Sequence, residues 1–203
     1  MGPNEFVMSA DKKPSLQARR RKHPTLAPGP ARPMRVEHEC FRTGALTYRA
    51  AWDVHRATLF GRCEPKTTIG AVDRLVEQVM TTEPYRSARR VFWIADNCSS
   101  HGGDTAAARL RAQWPALVHT PVHASWLNQV EISFSIVQRK IVTPNDFTSL
   151  RELEDRLLAF QQRYEQTAKP FQWTFTRADL ADLLVKLKAK ELGRAAGPEN
   201  TAP

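Results

Sequence analysis

Three acids in this sequence stand where chemistry is possible. Asp11 follows the apolar run "EFVMSA", Asp96 follows "VFWIA", and Glu131 stands near the start of the helical stretch "VEISFSIVQRKI". Short apolar runs closed by polar residues read as buried strands reaching their ends. A carboxylate in such a place has a salt bridge, a cap to make, or a metal to hold. If the two strands are neighbours and the helix follows the next strand, all three acids meet at one sheet edge. Three carboxylates would repel one another there, and divalent cations are the usual remedy. An oxygen-only ligand set points to Mg²⁺ or Mn²⁺ rather than zinc. Two such ions about 3.5–4 Å apart suit phosphodiester chemistry.

The surrounding elements must position these acids. Strand Glu5–Ala10 is followed by a long irregular segment, residues 12–44, with Pro14, Pro24, Pro28, Pro30, Pro33 and the basic run Arg19, Arg20, Arg21, Lys22. "ALTYRAAWD" and "ATLFGRCE" read as a hairpin turning near Asp53 to Arg56. Asp53 is therefore a rival for the place of Asp11, against an ordinary turn role. Ile69, Val72, Leu75, Val76 and Val79 recur at helical spacing. A strand at Val91–Ala95, a helix through "GGDTAAARLRAQW" capped by Asp104, and a strand "ALVHT" stopped by Pro121 follow. Val130, Phe134, Val137 and Ile141 make the apolar stripe of the helix that carries Glu131. Leu150, Leu153, Leu157, Phe160 and Tyr164 mark another helix. The last, "TRADLADLLVKLKAK", has Thr176 and Asp179 in capping-box spacing. The expected class is α/β: a mixed sheet of a three-strand antiparallel meander plus parallel strands, flanked by helices, with extra C-terminal helices. Residues 1–192 are expected to form one domain and 193–203 a frayed tail.

Composition narrows the partners. Among 203 residues, 30 Lys and Arg oppose 21 Asp and Glu, a formal charge of +9 that favours a polyanion such as nucleic acid. Cys40, Cys63 and Cys98 are far apart and odd in number, which implies no disulfide framework and a reducing cytoplasm. The pairs His38/Cys40 and Cys98/His101 lack repeated zinc-site spacing, so the cysteines read as small buried thiols. No segment reaches the roughly 20 apolar residues of a membrane helix, and the first residues lack a signal-peptide core.

Two motifs together carry a family resemblance. Thirty-four residues lie between Asp96 and Glu131, "DN" and His101 follow the strand, and "PVHASWLNQVE" runs on to "QRK". This pattern resembles the catalytic domain of bacterial insertion-sequence transposases of the mariner-like superfamily, over approximately Glu5 to Leu187. The resemblance implies a ribonuclease-H-like fold and an Asp-Asp-Glu site in which Asp11, Asp96 and Glu131 are catalytic and hold two Mg²⁺ or Mn²⁺ ions. In many relatives the first acid is followed by Glu, whereas Lys12 follows here. The implied reaction is hydrolysis at the transposon end, freeing a 3′-hydroxyl that then attacks target DNA, in an active homodimer. Asn97 and His101 are candidates for orienting a water or a phosphate, or for a plain turn role. Arg139 and Lys140, two turns beyond Glu131, and Arg19, Arg20, Arg21 and Lys22 are candidates for the DNA backbone, or are solvated charge. Trp126 is expected in the core. Relatives place helix-turn-helix modules ahead of the catalytic domain; ten residues precede Asp11 here, so an upstream helix-turn-helix polypeptide is an expected partner. Two alternatives remain: a ribonuclease-H-like nuclease that cuts without joining, and a catalytically silent DNA-binding remnant.

Overall fold

The computed structural model describes residues 2–96, 116–121 and 124–195, with backbone alone from 190 onward. They belong to two compact units, Met1–Phe171 and Gln172–Pro203. In the first, strands β1 (Glu5–Arg21), β2 (Cys40–Asp53) and β3 (Leu59–Glu64) precede helix α1 (Ile69–Met80). Strands β4 (Arg90–Ala95) and β5 (Leu117–His119) follow, then helix α2 (Val130–Val137), continued by a π turn at Gln138–Val142, and helix α3 (Leu150–Glu165). The sheet order is β3-β2-β1-β4-β5. β1, β2 and β3 run antiparallel as a meander, while β4 lies parallel to β1 and β5 parallel to β4. This is the mixed sheet expected from the sequence. The helix expected through "GGDTAAARLRAQW", together with Cys98, lies outside the described residues.

Each face of the sheet buries its own core. On one face Met8, Ala10, Ala51, Phe60 and Trp93 meet the stripe Val72, Leu75, Val76 and Val79 of α1. On the other, Leu16, Ala18, Leu46, Tyr48, Ala50 and Trp52 meet Val130, Phe134 and Val137 of α2 and Leu153 and Leu157 of α3. The strands alternate faces with period two, so one sheet serves two helical layers. α1 starts where Thr68, in extended conformation, accepts the Ala71 N–H at 3.3 Å. Where β3 passes α3, Gly61 leaves no spare room. A Cβ there would fall 2.6 Å from Tyr48 Cζ and 2.7 Å from Gln161 Oε1, and closer still to the Tyr48 hydroxyl. Tyr48 is fully buried and cannot retreat, so Gly61→Ala is expected to cost about 1–3 kcal/mol, read by urea unfolding.

The first strand corrects the sequence reading. β1 does not end at Ala10 but continues to Arg21, paired with β2 from Met8–Asp53 to Arg21–Cys40. Pro14, which suggested a loop, falls in a bulge: the register shifts between Lys13 and Leu16, and Ser15 has φ 54°. A bulge is where a strand tolerates a residue with no N–H to give. Beyond Arg21 the segment leading to β2 is also ordered, with antiparallel bridges at Leu26–Arg35 and Gly29–Arg32.

In the second unit, α4 (Arg177–Ala195) begins with the expected reciprocal cap. Asp179 Oδ2 accepts from the Thr176 N–H and hydroxyl, both at 2.7 Å, and the Asp179 N–H returns to Thr176 Oγ1 at 3.2 Å. No helix among the described residues is long and apolar enough to cross a membrane.

Candidate functional site

The sheet register brings the first two acids side by side. β1 and β4 are paired in parallel up to Ser9–Ile94. Two residues further along each chain lie Asp11 and Asp96. Asp11 is thus within its strand, opposite Ala50 of β2, at the point where its other neighbour β4 runs out. Met8 and Ala10 face α1, so alternation turns Ser9 and Asp11 toward the layer that contains α2. Ser9 accepts the Val130 N–H at 2.8 Å, which places the start of α2, and with it Glu131, over this part of β1.

The electrostatics follow from that placement. Asp11 is only 6% exposed. Burial, and then the charges of Asp96 and Glu131, push its carboxyl up to about 7, and Glu131 also shares a hydrogen bond with it. The Lys12 N–H, 2.7 Å from Asp11 Oδ1, pulls the other way. Asp96 acts on Asp11 through its charge, Glu131 through charge and contact. Among the described residues, no three His, Cys, Asp or Glu side chains are gathered tightly enough to enclose an ion. Burial and two like-charged neighbours favour the protonated form of Asp11. The donor set is nevertheless all carboxylate oxygen, and a hard divalent cation is what would replace that proton, so the residues fit Mg²⁺ or Mn²⁺.

Asp53, the rival first acid, is committed elsewhere. Fully buried, it accepts from the His55 and Arg56 N–H groups with Oδ1, at 2.9 and 3.0 Å, and from the Tyr85 hydroxyl with Oδ2, at 2.7 Å. It builds the hairpin turn. Tyr85→Phe should therefore cost about 1–3 kcal/mol in chemical denaturation, since it strands a buried acceptor.

The basic candidates divide by what they touch. Arg21 gives its guanidinium to the carbonyls of Asn145, Glu37 and Pro144, at 3.0, 2.8 and 2.6 Å. Arg19 reaches Gln17, Arg20 lies 5.6 Å over the Phe41 ring, and Lys22 pairs with Glu39 at 2.7 Å. They belong to β1 and its exit, not to an irregular loop. Arg139 and Lys140 are exposed on the π turn that ends α2. Asn97 and His101 lie outside the described residues. Trp126, expected in the core, is 50% exposed on a single 3₁₀ turn, Ser125–Leu127. Cys40 and Cys63 are free and half-buried, and burial pushes the Cys63 thiol up to about 12. Sequence reasoning missed Ser9 and Asn128, both buried polar residues; a lone Ser in the apolar run "FVMSA" was the available signal. It also missed His119, whose Nδ1 lies 3.4 Å from the Asp96 carbonyl.

The chain belongs to the DDE superfamily endonuclease family, whose model matches residues 7–154 and so takes in all three acids. Among solved structures, it is similar to the Mos1 mariner paired-end complex with Mn, at TM-score 0.58 and 14% identity, over 77% of this chain and 48% of that one. It is similar also to the Mos1 transposase catalytic domain with Raltegravir and Mn, at TM-score 0.54 and 12% identity, over 77% and 70%. The Mos1 paired-end complex with the left transposon end matches at TM-score 0.54 and 14% identity, over 81% and 48%. The chain therefore spans about half the length of the protein in those paired-end complexes. The shared fold is the ribonuclease-H-like one. No curated protein matches the sequence.

Proposed function

We propose that this chain is the catalytic core of a DNA transposase, which hydrolyses the phosphodiester at a transposon end and joins the freed 3′-hydroxyl to target DNA. The observation that carries the reading is that Asp11, buried within β1 beside the end of β4, feels the charges of both Asp96 and Glu131. Asp11, Asp96 and Glu131 are the residues to hold two Mg²⁺ or Mn²⁺ ions, and the Mos1 structures with Mn support that choice. When bound, such ions supply Lewis-acid stabilisation to the attacking and leaving oxygens of an in-line displacement. Asp11 would have to be ionised to serve as a ligand, and Asn97 and His101, one and five residues beyond Asp96, would orient water or phosphate.

The net charge of +9 draws DNA in and makes binding fall with salt. Arg19, Arg20, Lys22, Arg139 and Lys140 carry backbone contacts in this reading; Arg21 serves more through the carbonyls it binds. Two copies act together on two ends, as the Mos1 paired-end complexes suggest, and a helix-turn-helix polypeptide recognises the ends, in the cytoplasm. The test is a Mn²⁺-dependent assay of nicking and joining on pre-cut ends. Joined product supports a transposase. Nicks without joining support a plain nuclease instead, and DNA binding without either leaves a silent remnant.

A further inference from the structure

What holds Glu131 at its distance from Asp11 is a separate question from what the acids do. The chain enters α2 through Asn128, whose side chain is fully buried. Its Nδ2 donates to the Ala10 carbonyl at 2.9 Å, and its Oδ1 accepts from the Ser9 hydroxyl. Ser9 Oγ in turn accepts the Val130 N–H at 2.8 Å, and the Glu131 N–H donates to the Asn128 carbonyl at 3.0 Å. Residues about 120 apart in sequence are thereby fixed one against the other.

The pattern differs from ordinary helix capping. A helix start usually satisfies its orphan N–H groups from its own preceding residue. Here Asn128 spends its amide on β1, and a β1 hydroxyl caps the helix in exchange. The three strand-to-helix bonds attach at Ser9 and Ala10, the two residues immediately before Asp11, and on the helix side at Asn128 and Val130, three residues and one residue before Glu131. Every polar atom involved is buried, so none has water as a substitute partner.

We propose that Asn128 and Ser9 are a positioning pair, which sets the Glu131 carboxylate against Asp11 and thereby fixes the affinity of the site for divalent cations. The proposal rests on the metal-dependent reading above. Neither residue would be a ligand to the ion; both would act through the backbone that carries the acids, as residues behind a ligand shell commonly do.

The test is a Mn²⁺ titration of the DNA-free protein, following free Mn²⁺ by electron paramagnetic resonance, with thermal unfolding measured alongside. Asn128→Ala and Ser9→Ala are expected to bind Mn²⁺ about 10–100-fold more weakly than wild type. Ser9→Thr, which keeps a hydroxyl, should recover most of what Ser9→Ala loses. Leu157→Ala, a core lesion under α3, should lower the melting temperature without lowering Mn²⁺ affinity. In the nicking assay the positioning variants lose kcat and keep KM for DNA. Unchanged Mn²⁺ affinity in the Ser9→Ala protein overturns the proposal, as does an equal loss of affinity in Leu157→Ala. If Asn128→Ala fails to fold, the Ser9 pair of variants decides. If wild type binds no Mn²⁺ that depends on Asp96, the reading of the reaction itself is lost, and the positioning role with it.

Discussion

Asp96→Asn is expected to abolish nicking and joining, by a factor on the order of 10³ or more, equivalent to about 4 kcal/mol of transition-state stabilisation. The swap is nearly isosteric, so packing around the end of β4 is preserved. What goes is one negative charge from the cluster, and with it a hard oxygen donor. The same loss should lighten the repulsion on Asp11, since the Asp96 charge is second only to burial in raising its carboxyl. The metal-free variant should therefore melt no lower than wild type, and higher near neutral pH. Activity falling while stability holds or rises is the combination that marks a functional acid. If Asp96→Asn cuts and joins at the wild-type rate, the proposed site is wrong.

The second large effect is on stability against pH. In the unfolded chain Asp11 ionises near its ordinary value of 3.8, and in the folded chain near about 7. Between those two values the folded state binds a proton that the unfolded state has released, so stability falls as pH rises through that window. The loss amounts to at most about 4 kcal/mol, complete once pH exceeds the folded value. Other carboxylates titrate in the same acid range, so the clean measurement is a difference. Asp11→Asn should gain melting temperature over metal-free wild type as pH goes from about 5 to about 7.5. Saturating Mn²⁺ should close that gap, by about 2.7 kcal/mol at a hundredfold excess over Kd. A gap that stays flat with pH would mean that Asp11 is ionised throughout and feels neither neighbour.

Much of this was legible because local signals agreed with tertiary needs. The stripe of α1 is all five buried positions at helical spacing but for Ile69, which is replaced by Ala71. Asp96 stood out as an acid ending an apolar strand, and Glu131 as an acid at a helix start. The second half of β1 was hidden for a physical reason. Its only buried apolar residues after Asp11 are Leu16 and Ala18, beyond a proline and ahead of three arginines. It is a strand because β2 pairs with it, and because Asn145 and Phe147 supply its far edge with bonds to Gln17 and Arg19. Neither partner is visible within a local window. The choice between Asp11 and Asp53 was similarly nonlocal. It turns on a tyrosine 32 residues away that takes one oxygen of Asp53.

The Asn145 contacts have one more consequence. Helix α2 is fastened to β1 ahead of its first turn by Asn128, and beyond its last by Asn145, whose amide bridges the Gln17 carbonyl and the Arg19 N–H. A beam pinned at both ends to one support can neither slide nor tilt over it. Glu131 and Asp11 are thus carried on one frame, and because β4 is hydrogen-bonded to β1 up to Ser9–Ile94, the strand that leads into Asp96 is built into the same frame.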